Sequence, residues 1–306
     1  MRRTNVDVKK LSSFTGHRDS IYALSSLVGS SVFYTSGGDQ LVVRWSLESP
    51  DQGEVIAQMP NSVYTLEEIP GKDLLLVGQN TQGIHLLDLV EKKEIKTLKL
   101  ADTFIYDIKY HRQKCYIATG TGGVFVVDLD RWRILHHQQY SKENARVIAI
   151  NTKDEEFAVG FSDQCIRIFD LNTFQLKQEL AAHTKSVFGL TYSPENDLLL
   201  SGSMDAHLKV WKQGNYTQRE DIVAHMYTIN DIAFRPDGNY FATVSKDKTV
   251  KIWDGKKHQL LKVIDQARHT GHANSVNKVR WVDEHKLITI SDDRSAILWE
   301  LQFYEV

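Results

Sequence analysis

The chain has 306 residues, of which 42% are hydrophobic and 25% charged, with 37 Lys and Arg against 39 Asp and Glu. This is a globular composition, and its near balance of charge removes the electrostatic pull that a basic chain exerts on nucleic acid or an anionic membrane surface. No run approaches the roughly 18 apolar residues of a membrane-spanning helix, and the opening MRRTNVDVKK has no apolar signal core, so no membrane insertion and a cytoplasmic location are expected.

In chain order, the first element is a strand at residues 6–14, with no partner nearby in sequence. The first of a series of related segments follows, TSGGDQLVVRW at 35–45, where Asp39 precedes Trp45 by six residues. Weaker copies are GQNTQGIHLLDL, ATGTGGVFVVDL and GFSDQCIRIFDL, and strong ones return as SGSMDAHLKVW (201–211), TVSKDKTVKIW (243–253) and TISDDRSAILW (289–299). The tryptophan position therefore runs Trp45, Leu87, Val127, Phe169, Trp211, Trp253 and Trp299, in steps of 42, 40, 42, 42, 42 and 46 residues. A repeat of this length dictates the whole fold.

Within a unit, apolar residues alternate with period two and Gly, Pro, Asn and Asp break the runs, which is the pattern of short strands and tight turns. The sixth unit is the clearest, with strands at 228–234, 240–245, 249–254 and 260–264 and a turn at Arg235-Pro236-Asp237-Gly238. No segment has a helical period. Seven four-stranded units predict an all-β, seven-bladed β-propeller of antiparallel blades in one domain, 1–306. The approximate repeats are 17–58, 59–100, 101–142, 143–182, 183–224, 225–271 and 272–306 plus 4–14. Only seven residues follow Trp299, too few for a turn and a fourth strand, so 6–14 is expected to pair beside 295–299 and close the ring.

The units resemble the WD-repeat family over essentially the full length. Gly16-His17, Ala182-His183, Ala224-His225 and Gly271-His272 match the Gly-His pair that opens a unit, and Trp253-Asp254 matches the closing pair. The family's ring closure is similar to the one read from the strand count. Four units carry a histidine, a hydroxyl residue, an aspartate and a tryptophan in register: His17, Thr35, Asp39, Trp45; His183, Ser201, Asp205, Trp211; His225, Thr243, Asp247, Trp253; and His272, Thr289, Asp293, Trp299. Ser, His and Asp suggest a hydrolase, but four copies, three with threonine, argue against a nucleophile. The resemblance implies a structural tetrad: indole N–H to hydroxyl, hydroxyl to imidazole, imidazole to carboxylate.

Units two to four lack the tetrad. Their His positions read Met59, Ala101 and Glu143, and their Asp positions Thr81, Thr121 and Asp163, through drift or as a specialised surface. By the same resemblance, the residue five beyond each His lies near the upper mouth of the central channel, and reads Tyr22, Tyr64, Tyr106, Ile148, Phe188, Asn230 and Asn277. The residue two earlier reads Ser20, Ser62, Phe104, Arg146, Ser186, Thr228 and Ser275. Tyr and Arg anchor protein interfaces. The rings therefore either form a partner surface, with Tyr22, Tyr64, Phe104, Tyr106, Arg146, Phe188, Asn230 and Asn277 as its residues, or fill the channel by packing.

Other motifs are weaker. Gly120-Thr121-Gly122-Gly123 is a turn and not a phosphate loop, since a strand follows it and no helix. Cys115 and Cys165 read as reduced core thiols, His136-His137 as a solvated edge, and the 19-residue link between Trp253 and His272 as a long loop in which Arg268 and His269 are candidate rim contacts. The function expected is a non-catalytic scaffold that binds a protein or peptide partner on the top face, without cofactor, metal or nucleic acid. The alternative is a propeller enzyme acting on a small molecule in the channel, with Asp292 its main candidate acid.

Overall fold

The computed structural model describes residues 4–100, 102–195 and 197–305; Ala101, assigned above to the histidine position of the third unit, lies outside the described residues. The strands form seven four-stranded antiparallel sheets. Blade 1 runs Ile21–Ser25, Val32–Gly37, Leu41–Ser46 and Ser49–Gln58 from the inner to the outer edge. Blades 2 to 6 repeat this plan from inner strands Val63–Glu68, Ile105–His111, Ala145–Asn151, Val187–Tyr192 and Ile229–Phe234. Consecutive inner strands touch around a closed circle, from Ile21–Ser25 to Val276–Trp281 and back, so together they wall the channel.

The seventh blade is built from both ends of the described chain. Val276–Trp281, Lys286–Ser291 and Ser295–Glu305 supply three strands, and Thr4–Thr15 is the fourth, antiparallel from Thr4 opposite Glu305 to Thr15 opposite Ser295. Residues after Trp299 extend the third strand, so the closing strand is longer than the 6–14 expected. Its two buried apolar residues enter different clefts: Val6 joins the core between blades 6 and 7 with Ile264 and Trp299, and Phe14 the core between blades 7 and 1 with Phe33 and Trp45. Such cores between blades are the main apolar burial, because a flat four-stranded sheet buries its faces only against its neighbours.

Several expectations fail here. The described residues include one short helix, Gln266–His269, N-capped by Asp265, inside the long loop before His272. Arg268 is held by that Asp265 (Nε to Oδ2, 2.9 Å), and Lys10 of the closing strand donates to Thr270 O at 2.9 Å. The loop thus packs against the outer strand of blade 7, and Arg268 and His269 are not at the channel rim. Cys115 is buried as expected, whereas Cys165 is partly exposed; both are free.

A further correction concerns register. Blade 3 joins its first two strands by a two-residue turn with positive φ at Arg112 (45°) and Gln113 (60°), the backbone of the tightest hairpins. The other blades use longer connections, so a constant 42-residue step overruns the fourth unit by two residues. The backbone bond from Tyr140 N to Gly122 O (3.0 Å) matches Ala182 N to Gln164 O (3.3 Å), which places Ser141 and not Glu143 at the position of His183.

Candidate functional site

At the start of every inner strand the ladder skips one residue. The pairs Ile21 with Gly37 and Ala23 with Ser36 leave out Tyr22, and the same shift leaves out Tyr64, Tyr106, Arg146, Phe188, Asn230 and Asn277. A β-bulge frees a side chain from the alternation of the strand and re-aims it. These seven side chains converge, with Lys278, on a cavity of about 180 Å³ at the mouth of the channel. Ile148 is fully buried and does not reach it; Arg146 occupies the fourth blade's place on the rim, as the two-residue register error requires. Lys278 had no signal in the repeat, since it belongs to the pairing positions of its strand.

The rings form a continuous arc. Tyr22 and Tyr64 stack at 4.9 Å, Tyr64 and Tyr106 tilt together at 5.7 Å, and Phe104 lies against both Tyr64 and Tyr106 while remaining 45% exposed. Arg146 continues the arc, its guanidinium 4.3 Å from the Tyr106 ring and 5.0 Å from the Phe188 ring. Opposite, Asn230 donates to Ser275 Oγ and Val276 O, and Asn277 donates to Ile21 O and to Asp292 at 2.7 Å. Asp292 is therefore engaged beside the cavity and does not line it. Further apolar side chains stand exposed in the loops of the same face: Met204 in blade 5, and Met226 (81% exposed) and Tyr227 entering blade 6.

Deeper in the channel, a second cavity of about 330 Å³ is lined by charged residues among apolar ones, with Lys278 common to both. Asp107 accepts from Ile148 N at 2.8 Å, and Asp231 accepts from Val279 N and from Arg280 Nη1 at 2.8 Å. Lys109 lies 3.2 Å from Asp107 and 3.7 Å from Glu67. These carboxylates tie the inner strand of one blade to the next by accepting backbone N–H groups that no ladder satisfies. Burial raises the Glu67 carboxyl above its ordinary range, against the pull of Lys109 and the Tyr110 N–H.

The four sets of His, hydroxyl, Asp and Trp are hydrogen-bonded in one order. In blade 1, Trp45 Nε1 donates to Thr35 Oγ1 at 2.7 Å, His17 Nε2 is 2.8 Å from that oxygen, and His17 Nδ1 is 2.8 Å from Asp39 Oδ2. The corresponding bonds are 2.9, 2.8 and 3.1 Å in blade 5, 2.9, 2.7 and 2.9 Å in blade 6, and 2.9 Å throughout in blade 7. Since the hydroxyl oxygen accepts from indole, its single proton goes to Nε2, which makes Nδ1 the protonated nitrogen that donates to carboxylate. Burial lowers the His225 pKa, which favours that neutral ring. Burial also works against charge on Asp205, but bonds from His183, Thr184 N and His207 N together outweigh it and hold the carboxyl well below the usual range. Asp247 and Asp293 are lowered in the same way. Thr35, Ser201, Thr243 and Thr289 are completely buried, so none presents a nucleophile to a substrate.

Blades 2 to 4 use other contacts in place of the tetrad. Met59 is buried apolar packing, and Asn61 Nδ2 bonds Thr81 Oγ1 at 3.2 Å. Thr119 and Thr121 are 3.3 Å apart in blade 3, where Gly122 has φ +73° and a Cβ would lie 2.2 Å from Ser141 O, so the glycines there serve a turn. Asp163 keeps its place but pairs with Arg167 at 2.8 Å, which also contacts Glu179 and lies over the Phe161 ring. His137 stacks on Phe125 at 3.8 Å and His136 bonds the Tyr140 hydroxyl, on an outer strand that is mostly exposed, as expected.

A closed ring of seven repeated blades, four of them locked by such tetrads, defines a β-propeller. The WD domain, G-beta repeat family matches residues 8–46, 174–212, 217–254 and 265–300, and the chain belongs to the WD-repeat propellers. These matches cover the four blades that carry the tetrad. The chain is 21% identical over 175 residues to WD repeat-containing protein SL1-17 of Schistosoma mansoni, covering 56% of this chain and 58% of that protein. It is 23% identical over 140 residues to WD repeat-containing protein 90 of Xenopus tropicalis (42% of this chain, 8% of that one). It is 21% identical over 212 residues to Transducin beta-like protein 3 of Mus musculus (64% and 26%). The chain thus spans little more than half of the first relative and smaller parts of the others. WD-repeat proteins generally act as protein-interaction scaffolds and are typically not enzymes.

Proposed function

We propose that this propeller is a non-catalytic, cytoplasmic scaffold that docks a protein or peptide segment on its top face, across the channel mouth. The observation that carries this reading is the bulge in all seven inner strands, which turns a Tyr, Phe, Arg or Asn side chain of each blade toward one cavity. Rigid rings and a stacked Arg are the side chains that supply most binding energy per contact in protein interfaces. Exposed Phe104, Met204, Met226 and Tyr227 extend the apolar surface outward from the mouth. The near balance of charge suits a protein partner better than nucleic acid, and the free thiols Cys115 and Cys165 suit a reducing compartment.

Affinity capture with wild type and with Tyr106→Ala, read by mass spectrometry and followed by titration of the captured partner, tests the reading. Loss of Tyr106 is expected to cost about 2 kcal/mol of binding or more. Its thermal unfolding should change far less. Capture that is identical in both proteins would refute top-face docking.

A further inference from the structure

A partner segment lying across the mouth must turn some group toward the cavity, and the charges around the cavity decide which. Arg146 and Lys278 both line it, and none of its lining residues is acidic. The guanidinium of Arg146 lies between the rings of Tyr106 and Phe188, with Nε donating to Ser162 Oγ at 2.9 Å. Oriented by its hydrogen bonds, the Asn144 amide oxygen accepts from Nη2 at 2.7 Å. That leaves Nη1 without a partner and Arg146 without an ion pair among the described residues, while Lys278 acts on Asp231 together with Arg280. Aromatic faces hold a cation in place but bring no compensating charge. Of the nearby acids, Asp292 accepts from the neutral Asn277 amide and Asp231 is shared by Lys278, Arg280 and the Val279 amide, so neither pairs with Arg146. The fixed guanidinium of Arg146, with Lys278 beside it, therefore faces a cavity the size of one side chain, walled on one side by aromatic rings. A lysine or arginine entering it would meet like charge, and an amide would leave the Arg146 guanidinium uncompensated.

We infer that the mouth selects its partner through an acidic side chain, the carboxylate of an Asp or Glu taken up by Arg146 and Lys278 while apolar residues flanking it in the segment lie on Tyr22, Tyr64 and Phe104. This rests on the scaffold reading above and names the partner's chemistry. Arg is suited to the task because stacking pre-orients its planar fork, and a charge-assisted bond from such a fork is stronger than a neutral one.

The test uses short capped peptides with apolar residues on both sides of a central Glu, Asp, Gln, Lys, Arg or phosphoserine, titrated onto wild type, Arg146→Met, Lys278→Met and Tyr64→Ala. Wild type is expected to bind the Glu or Asp peptides about tenfold or more tighter than the Gln peptide, from the strength of a hydrogen bond to a charged group. The preference should shrink as salt rises. Arg146→Met should erase it, and Lys278→Met, which leaves the stacked rings untouched, should reduce it even if the first variant folds poorly. Tyr64→Ala should weaken every peptide alike. Equal affinity for Glu and Gln, preference for Lys, Arg or phosphoserine, or no binding by any peptide would overturn the inference. Charge-blind binding that still depends on Tyr64 would sink the acidic group alone; binding that ignores Tyr64 would sink the docking surface too.

Discussion

Phe14→Ala probes ring closure at a single side chain. Phe14 sits in the closing strand, fully buried, with its ring 4.8 Å from Phe33 at 89° and 5.7 Å from Trp45 at 70°. Truncating a buried Phe costs about 3 to 5 kcal/mol, in which each edge-to-face ring pair accounts for about 0.5 to 1.5 kcal/mol. Against a typical total of about 5 to 15 kcal/mol, the loss is a large fraction of the stability. It acts where blade 7 meets blade 1, so detachment of Thr4–Thr15 from Ser295–Glu305 becomes the easiest opening of the ring. Guanidinium unfolding should show a lower midpoint, and limited proteolysis should cut the closing strand first. Lys9→Ala, an exposed change in the same strand, is the control and should shift stability by no more than about 0.5 kcal/mol. A Phe14→Ala midpoint equal to wild type would mean that the N-terminal strand is not what holds the ring shut.

Asp205→Ala should lower stability by about 1 to 3 kcal/mol, because buried His183 Nδ1 and the Thr184 and His207 amides lose their acceptor. Ser201→Ala should likewise destabilise, by removing the acceptor of the Trp211 indole, and neither it nor wild type should turn over a chromogenic ester; turnover by wild type that vanishes in the variant would reinstate the hydrolase. Acid should weaken the fold in two stages. His225 is lowered in the folded state, so its contribution is present above about pH 6.5 and is lost as pH falls below it. Asp205, Asp247 and Asp293 are also lowered, so theirs is present above about pH 3.9 and is lost as pH falls toward their folded values. Urea titrations across that range should give a falling midpoint, and Asp247→Asn should flatten the acid limb; a midpoint that rises with acid would contradict the hydrogen-bond assignment.

The propeller could be read from the chain because a repeat states its packing many times over. The spacing of Asp39 to Trp45 recurs three times unchanged, and alternation with turn residues marks the strands of the sixth blade to within a residue. Ring closure followed from counting strands, since an unpaired strand at one end must match the vacancy at the other. The rim was also legible as a position in the repeat, down to Tyr22, Tyr64 and Tyr106. What the linear order concealed was local geometry. A two-residue hairpin at Arg112 and Gln113 shortens blade 3, and only the ladder shows that Arg146, not Ile148, is the bulged residue of blade 4. Lys278 reaches the mouth from a paired position, and the loop of Arg268 turns outward to the closing strand, because both depend on contacts between blades far apart in sequence. Periodicity records what each blade shares with the others; the charge and shape of the mouth come from where the blades differ, and those differences act together only once the ring has closed.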